Sequence, residues 1–378
     1  MEAGSCRVEK ACLPDDSQRT GGCHRKLRYA IPPFIVKPLA KLIIVSLIIS
    51  VARASSGDEA FPFISCMDSC TRCHSPGRPN HDVCSPLCNE NKHESKSFSI
   101  LETLFRWTCV SDCQYRCMWA IEGLVEEGRA QNKRPVQKYF GKWPFIRILG
   151  MQEPASVLFS LLNLAANAFC LVKVAGLRVK KTAELHPTRL RRVLWTLHFS
   201  ISCNAWLWSS VFHSRDTWIT ERLDYFSAGI LVSYDLFLTL ALVFNIDSNV
   251  PALMALGSPI AWVTLRHLYR MYAVMFDYGL HVKLCIAAGL LQTLAWLFWA
   301  LRLRRGRYHP GKRYLITFII AVNLSMALEI FDFPPIAYVV DAHSLWHAAT
   351  APLTIFWLLF VLEDIKAHKE QVSISKTV

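Results

Sequence analysis

Charged side chains are scarce in this chain. Asp, Glu, Lys and Arg make up 19% of its 378 residues, against about a quarter in a typical soluble domain, and the shortfall excludes an ordinary water-soluble core as its organising unit. No internal repeat and no low-complexity segment is present, which excludes a repeat array. The formal net charge is +13, but no nucleic-acid-reading motif accompanies the basic residues, so RNA and DNA are excluded as partners. Only one C-x2-C pair occurs, Cys70 and Cys73, and without a second one a cysteine-based zinc site, completed by His74 or His81, is poorly supported.

What is abundant is apolar sequence: 52% of residues are hydrophobic, gathered in blocks of about 20, the length that crosses a bilayer. Residues 24–41 carry His24, Arg25, Lys26, Arg28, Lys37 and Lys41, residues 42–51 are apolar, and Ala52-Arg53-Ala54 follows. A basic region, a short apolar region and an A-x-A site describe a signal peptide over 1–54, or an uncleaved anchor given the long preceding extension with Cys6, Cys12 and Cys23. In both cases the chain emerges in the lumen.

Eight of the 14 cysteines then fall close together: Cys66, Cys70, Cys73, Cys84, Cys88, Cys109, Cys113 and Cys117. In an oxidising compartment an even count reads as up to four disulfides, of undetermined connectivity, stapling a luminal domain over 55–152. The C-x3-C spacings place cysteine pairs on one helix face.

Seven spans are expected within 153–363, at 154–174, 193–213, 225–246, 252–274, 281–301, 314–333 and 342–362. The fourth contains Pro259, Arg266, His267 and Arg270, and charge parity supports it. Residues 173–192 and 302–313 each carry a net charge of +6. The positive-inside rule assigns both to the cytosol, which requires the fourth span to cross. The fold class is therefore an all-α membrane protein, a seven-transmembrane helix bundle behind a disulfide-rich luminal domain, with a cytosolic tail at 364–378 that lacks a recognisable retrieval signal.

Ionisable groups at membrane depth are costly and point to function. Span two ends with Ser209 and His213, span three begins at Asp224, and span seven begins with His343 and His347. Both pairs are spaced i, i+4 and share a helix face, and all five residues fall on the luminal side. Three neutral imidazoles form a zinc site with an open fourth position, which lowers the pKa of water to about 7. Asp224 can take a proton and Ser209 can donate to an oxyanion. The set describes hydrolysis of an ester or amide at a membrane surface. His186, His198, His267, His281 and His309 have no such partners in the sequence and read as structural or solvated. Glu329, Asp332 and Asp341 read as caps of a luminal turn or as support for the histidines. Arg215 and Asp216 read as a loop ion pair or a phosphate contact, and Trp206, Trp208, Trp218 and Trp346 as an interfacial belt.

The chain resembles the Per1-like, post-GPI-attachment-to-proteins family over about residues 57–365. The resemblance is carried by Phe140-Gly-Lys-Trp-Pro-Phe145, Gln152-Glu-Pro-Ala-Ser156, Asn204-Ala-Trp-Leu-Trp-Ser209, Phe212-His-Ser-Arg-Asp-Thr217, Leu223-Asp-Tyr-Phe226, Phe276-Asp-Tyr-Gly279, Asp332-Phe-Pro-Pro335 and Asp341-Ala-His-Ser-Leu-Trp-His347. It implies a relationship to alkaline-ceramidase-like hydrolases, with Zn2+ on His213, His343 and His347 and with Ser209 and Asp224 as catalytic helpers. It also implies removal of the sn-2 acyl chain from GPI-anchored proteins, as substrate partners together with membrane lipid, in the Golgi or endoplasmic reticulum. The competing readings are a non-enzymatic receptor on the same scaffold and a GPI-protein chaperone acting through the cysteine-rich region.

Overall fold

The computed structural model describes residues 57–72, 83–88, 105–132, 135–177, 186–302 and 309–374. The leader expected at 1–54 and Cys73, His74 and His81 lie outside them.

The described part of the cysteine-rich region is mainly helical. Helix α1 (Phe61–Thr71), with a proline in its first turn, lies beside α2 (Cys109–Asn132), with a 3-10 turn at Pro86–Cys88 between them. Cys66 bonds Cys117 and Cys70 bonds Cys113, so each C-x3-C pair forms one side of an antiparallel ladder. Cys88 bonds Cys109, and Cys84 is also disulfide-bonded. The three bridges close separations of 51, 43 and 21 residues, each stabilising by about 3–4 kcal/mol on the chain-entropy account. Their small core comprises Phe63, Met118 and Tyr139 with the buried cysteines. Cys70 is thus unavailable as a thiolate ligand.

Seven long helices follow: α3 (Pro154–Ala175), α4 (His186–Ser214), α5 (Trp218–Val243), α6 (Val250–Ala273), α7 (Tyr278–Arg302), α8 (Lys312–Phe331) and α9 (Ala342–Ile374). All seven expected spans coincide with a helix. Five, α3, α5, α7, α8 and α9, are long and apolar enough to cross a membrane. Helices α4 and α6 fall outside that description because their interiors are polar: His198, Ser202 and Asn204 in one, Arg266, His267 and Arg270 in the other. No β-strand occurs among the described residues.

Local signals set the helix starts. Thr217 and Thr220 form a capping box on α5, Asn249 accepts from the Ala252 amide to start α6, and Asp341 and Ser344 cap α9 reciprocally, all satisfying amides that would otherwise be orphaned. Helix α9 runs 12 residues past the span expected to end at 362. The tail expected from 364 is in part this helix, because Asp364 and Ile365 are buried against the bundle.

Helix α3 packs on α4 and α9, α4 on α5, α5 on α6 and α7, and α8 on α9. At one end of the bundle an aromatic core joins Trp195, Phe199, Trp296 and Phe360. Beside it Arg191 is buried in a fork between Asp247 (2.8 and 3.0 Å) and Asp364 (2.9 Å). At the other end α3, α5 and α9 begin and α4 finishes, tied by Gln152 and Glu153 amides donating to the Ser214 and His213 carbonyls. The cysteine-rich region docks at this second end: the Ile146 amide donates to the Tyr338 carbonyl, and Trp119 packs edge-on against Tyr338.

A candidate metal centre at one bundle end

Ser209 and His213 lie one turn apart on the last two turns of α4, and His343 and His347 one turn apart at the start of α9. The packing of α4 against α9 brings their rings together. The Nε2 atoms of His347 and His343 are 2.9 Å apart, and those of His343 and His213 are 3.4 Å apart. Three nitrogens held tetrahedrally about 2.05 Å from a zinc ion would be separated by about 3.3 Å, so the triad suits that ion, and its three imidazoles form a compact candidate ligand group. A second sulfur-rich group, Cys88, Cys109 and Cys113, does not suit a metal, because all three sulfurs are spent in disulfides.

Each imidazole turns its other nitrogen to a partner, which orients the ring and selects the tautomer. His213 Nδ1 donates to Glu153 Oε2 (2.6 Å), His343 Nδ1 donates to Glu329 Oε2 (2.7 Å), and His347 Nδ1 lies 2.8 Å from Ser160 Oγ. Ser160 Oγ is also 3.0 Å from Ser209 Oγ. Asn163, one turn further along α3, donates to the His347 carbonyl (2.7 Å). Trp206 and Trp346, expected in an interfacial belt, also wall the His347 ring, with centroids at 5.2 and 5.0 Å. Asp224 is an electrostatic neighbour of His213 and His343 and has no hydrogen-bond partner of its own among the described residues. The five expected residues are therefore brought to one place, though 138 positions separate Ser209 from His347 in sequence.

Glu153, Lys142, Ser160 and Asn163 carried no expected role. Lys142 Nζ lies 2.6 Å from Glu153 Oε1 and 2.9 Å from Asp216 Oδ2, over the face of Phe212. Burial alone would neutralise both partners. The cation of Lys142 and the proximity of His213 outweigh that for Glu153 and hold its carboxyl well below the usual carboxylate range. Glu153 and Asp216 likewise hold the ammonium above its usual range. Lys142 is delivered by a tight turn in which Phe140 (φ 51°) and Gly141 (φ 80°) are both left-handed, a turn for which glycine at the second central position is favoured. Glu153 stands at the N-cap of α3 yet does not cap it; its side chain is committed to the site. Both residues fall inside stretches that carried the family resemblance, 140–145 and 152–156, which was the available signal.

The Glu329, Asp332 and Asp341 group divides. Glu329 supports His343, Asp341 caps α9, and Asp332, in the left-handed region at φ 36°, takes Lys138 and the Trp143 indole. Three of the histidines read as structural or solvated have side-chain partners: His198 donates to Asp235 (2.6 Å) and accepts from Trp357 (2.9 Å), and His267 Nε2 is 3.1 Å from His281 Nδ1. The reason is helix packing, which places residues from α5, α7 and α9 opposite them. Asp216 pairs with Lys142 through its carboxylate, while Arg215 donates to the Asp216 carbonyl, so the expected ion pair between the two is replaced by a backbone contact.

Residues 99–365 match the profile of the Per1-like family. The chain is 34% identical to the Protein PER1 homolog of Schizosaccharomyces pombe, over 82% of this chain and 87% of that one. It is 32% identical to the GPI-specific phospholipase A2-like PGAP3 of Mus musculus, over 87% and 95%. It is also 32% identical to Post-GPI attachment to proteins factor 3 of Drosophila melanogaster, over 83% and 90%. No solved structure matches the chain. With its helical membrane bundle, its disulfide-linked amino-terminal region and these relatives, the chain belongs to the Per1-like family.

Proposed function

We propose that this protein is a zinc-dependent hydrolase that removes the sn-2 acyl chain from GPI-anchored proteins at the luminal face of the Golgi or endoplasmic reticulum membrane. The observation that carries the reading is the convergence of three Nε2 atoms at 2.9 and 3.4 Å, each ring held from behind. The relatives' names, which speak of GPI-specific phospholipase A2-like activity and of post-GPI attachment, support the substrate class. All seven helices α3 to α9 cross the bilayer in this reading, because parity then sets both +6 segments in the cytosol.

His213, His343 and His347 would hold the ion. Zinc bound through three neutral imidazoles supplies Lewis acidity, which activates water and polarises an ester carbonyl at neutral pH. Asp224, left free of other hydrogen bonds, accepts the proton of the attacking water. Ser209 Oγ–H donates to the carbonyl oxygen as negative charge develops there. Glu153 and Glu329 keep Nδ1 protonated on two of the rings, leaving Nε2 free as a ligand atom. Trp206 and Trp346 exclude water from the flank of His347.

The test is zinc analysis of the purified protein combined with lipid mass spectrometry of a GPI-anchored reporter, wild type against His347→Ala. Loss of both zinc and the lyso product in the variant is expected. A metal-free wild-type protein, with full remodelling by the variant, would overturn the proposal.

A further inference from the structure

Helix serines in this bundle habitually spend their proton on the carbonyl one turn back. Ser200, Ser202, Ser214, Ser227, Ser258 and Ser325 each donate to the residue four positions earlier, at 2.6 to 2.9 Å. Ser160 and Ser209 do not. Ser160 is fully buried, and its Oγ has two partners, His347 Nδ1 at 2.8 Å and Ser209 Oγ at 3.0 Å.

The proton inventory of this trio favours one arrangement when the three Nε2 atoms are ligand atoms, and in that respect the inference rests on the zinc reading. His347 then keeps its lone pair at Nε2 and its proton at Nδ1. Nδ1–H donates to Ser160 Oγ. Ser160 is the more deeply buried of the two serines, and a buried hydroxyl proton without an acceptor is costly, so its single proton goes to its other partner, Ser209 Oγ. A Ser209 lone pair is thereby engaged, and its own proton is left without a protein acceptor among the described residues. We propose that Ser160 is a positioning residue: it forms a one-way hydrogen-bond chain, His347 to Ser160 to Ser209, that turns the Ser209 hydroxyl outward as a donor to the substrate carbonyl. Asn163, whose amide donates to the His347 backbone carbonyl, holds the first member of the chain in place from the same face of α3. The chain couples the ring that holds the metal to the group that stabilises the oxyanion. No atom of Ser160 touches substrate.

The test uses the full-length purified protein in lipid vesicles with a GPI-anchored reporter. Ser160→Ala, Ser160→Thr, Ser209→Ala and the Ser160→Ala/Ser209→Ala double variant are compared by zinc stoichiometry, by zinc affinity in chelator competition, and by kcat and KM. Ser160→Ala is expected to bind zinc at full stoichiometry but about 10- to 100-fold more weakly, with a kcat loss of similar size and little change in KM. Ser160→Thr, which keeps the hydroxyl, restores both. In the Ser209→Ala background, Ser160→Ala should cost no further kcat beyond its effect through zinc at saturating metal, while zinc affinity still falls. Unchanged zinc affinity in Ser160→Ala, kcat losses that multiply in the double variant, or failure of Ser160→Thr to rescue would each overturn the chain. A wild-type protein without zinc would instead sink the reading on which the chain rests.

Discussion

His213 and Glu153 meet across 2.6 Å, a carboxylate at the start of α3 orienting an imidazole at the end of α4. The other oxygen of the same carboxylate receives Lys142. Glu153→Gln keeps the shape and removes the charge, so it should weaken zinc binding by about 10- to 100-fold, read by chelator competition. The sign of its pH dependence follows from the depressed carboxyl. The stability that Glu153 contributes is fully present above its unfolded pKa, about 4.3, and is lost only as pH falls through the lower folded value. The wild-type and variant proteins should therefore differ in melting temperature by the same amount at pH 6 and pH 7.5.

Asp224 and the histidines should separate by readout. His343→Ala removes a ligand atom and is expected to abolish both zinc retention and turnover. Asp224→Asn leaves the three nitrogens in place, so zinc content should stay at the wild-type level while turnover falls by about 10²- to 10⁴-fold. Zinc loss in Asp224→Asn would show that the carboxylate acts on the ligands rather than on water.

The Trp107 indole packs against two guanidiniums. Arg147 Cζ is 3.4 Å and Arg215 Cζ 3.9 Å from its ring centroid. Trp107 belongs to the cysteine-rich region and Arg215 to the loop after α4, two residues beyond His213. Each cation–π contact contributes about 0.5–2 kcal/mol. Trp107→Ala should loosen this clasp, giving faster limited proteolysis between residues 105 and 150 with the bundle core still protected.

Arg191, at the far end, is a buried charge balanced by Asp247 and Asp364. Removing one member of such a set leaves uncompensated charge and costs about 3–5 kcal/mol. Arg191→Ala should lower the melting temperature markedly, while the fraction that remains folded retains zinc. A variant of unchanged stability would mean that water reaches the two carboxylates.

Five of the seven long helices, α3, α5, α7, α8 and α9, were legible as apolar runs of bilayer length, because hydropathy needs no knowledge of neighbours, whereas α6, with its polar interior, was placed with the help of charge parity. The five residues of the candidate site were legible as a group for a related reason. Histidine, serine and aspartate on apolar helices are costly unless used, and i, i+4 spacing declares a shared face in one dimension. The cysteine count announced a stapled region, while the pairing of Cys66 with Cys117 and Cys70 with Cys113 depended on α1 and α2 running antiparallel.

Glu153, Ser160, Asn163 and Lys142 were not legible as site residues, because a serine or asparagine in a helix ordinarily bonds its own backbone and a glutamate before Pro154 ordinarily caps. Their roles arise from which helices touch. Only the packing of α3 against α4 and α9 turns Ser160 toward His347 and Ser209, and only the turn at Phe140 and Gly141 carries Lys142 to Glu153. Side-chain chemistry and periodicity are local properties written along the chain. The hydrogen-bond partner of a buried group is a property of the residue opposite it, and that residue is chosen by tertiary packing.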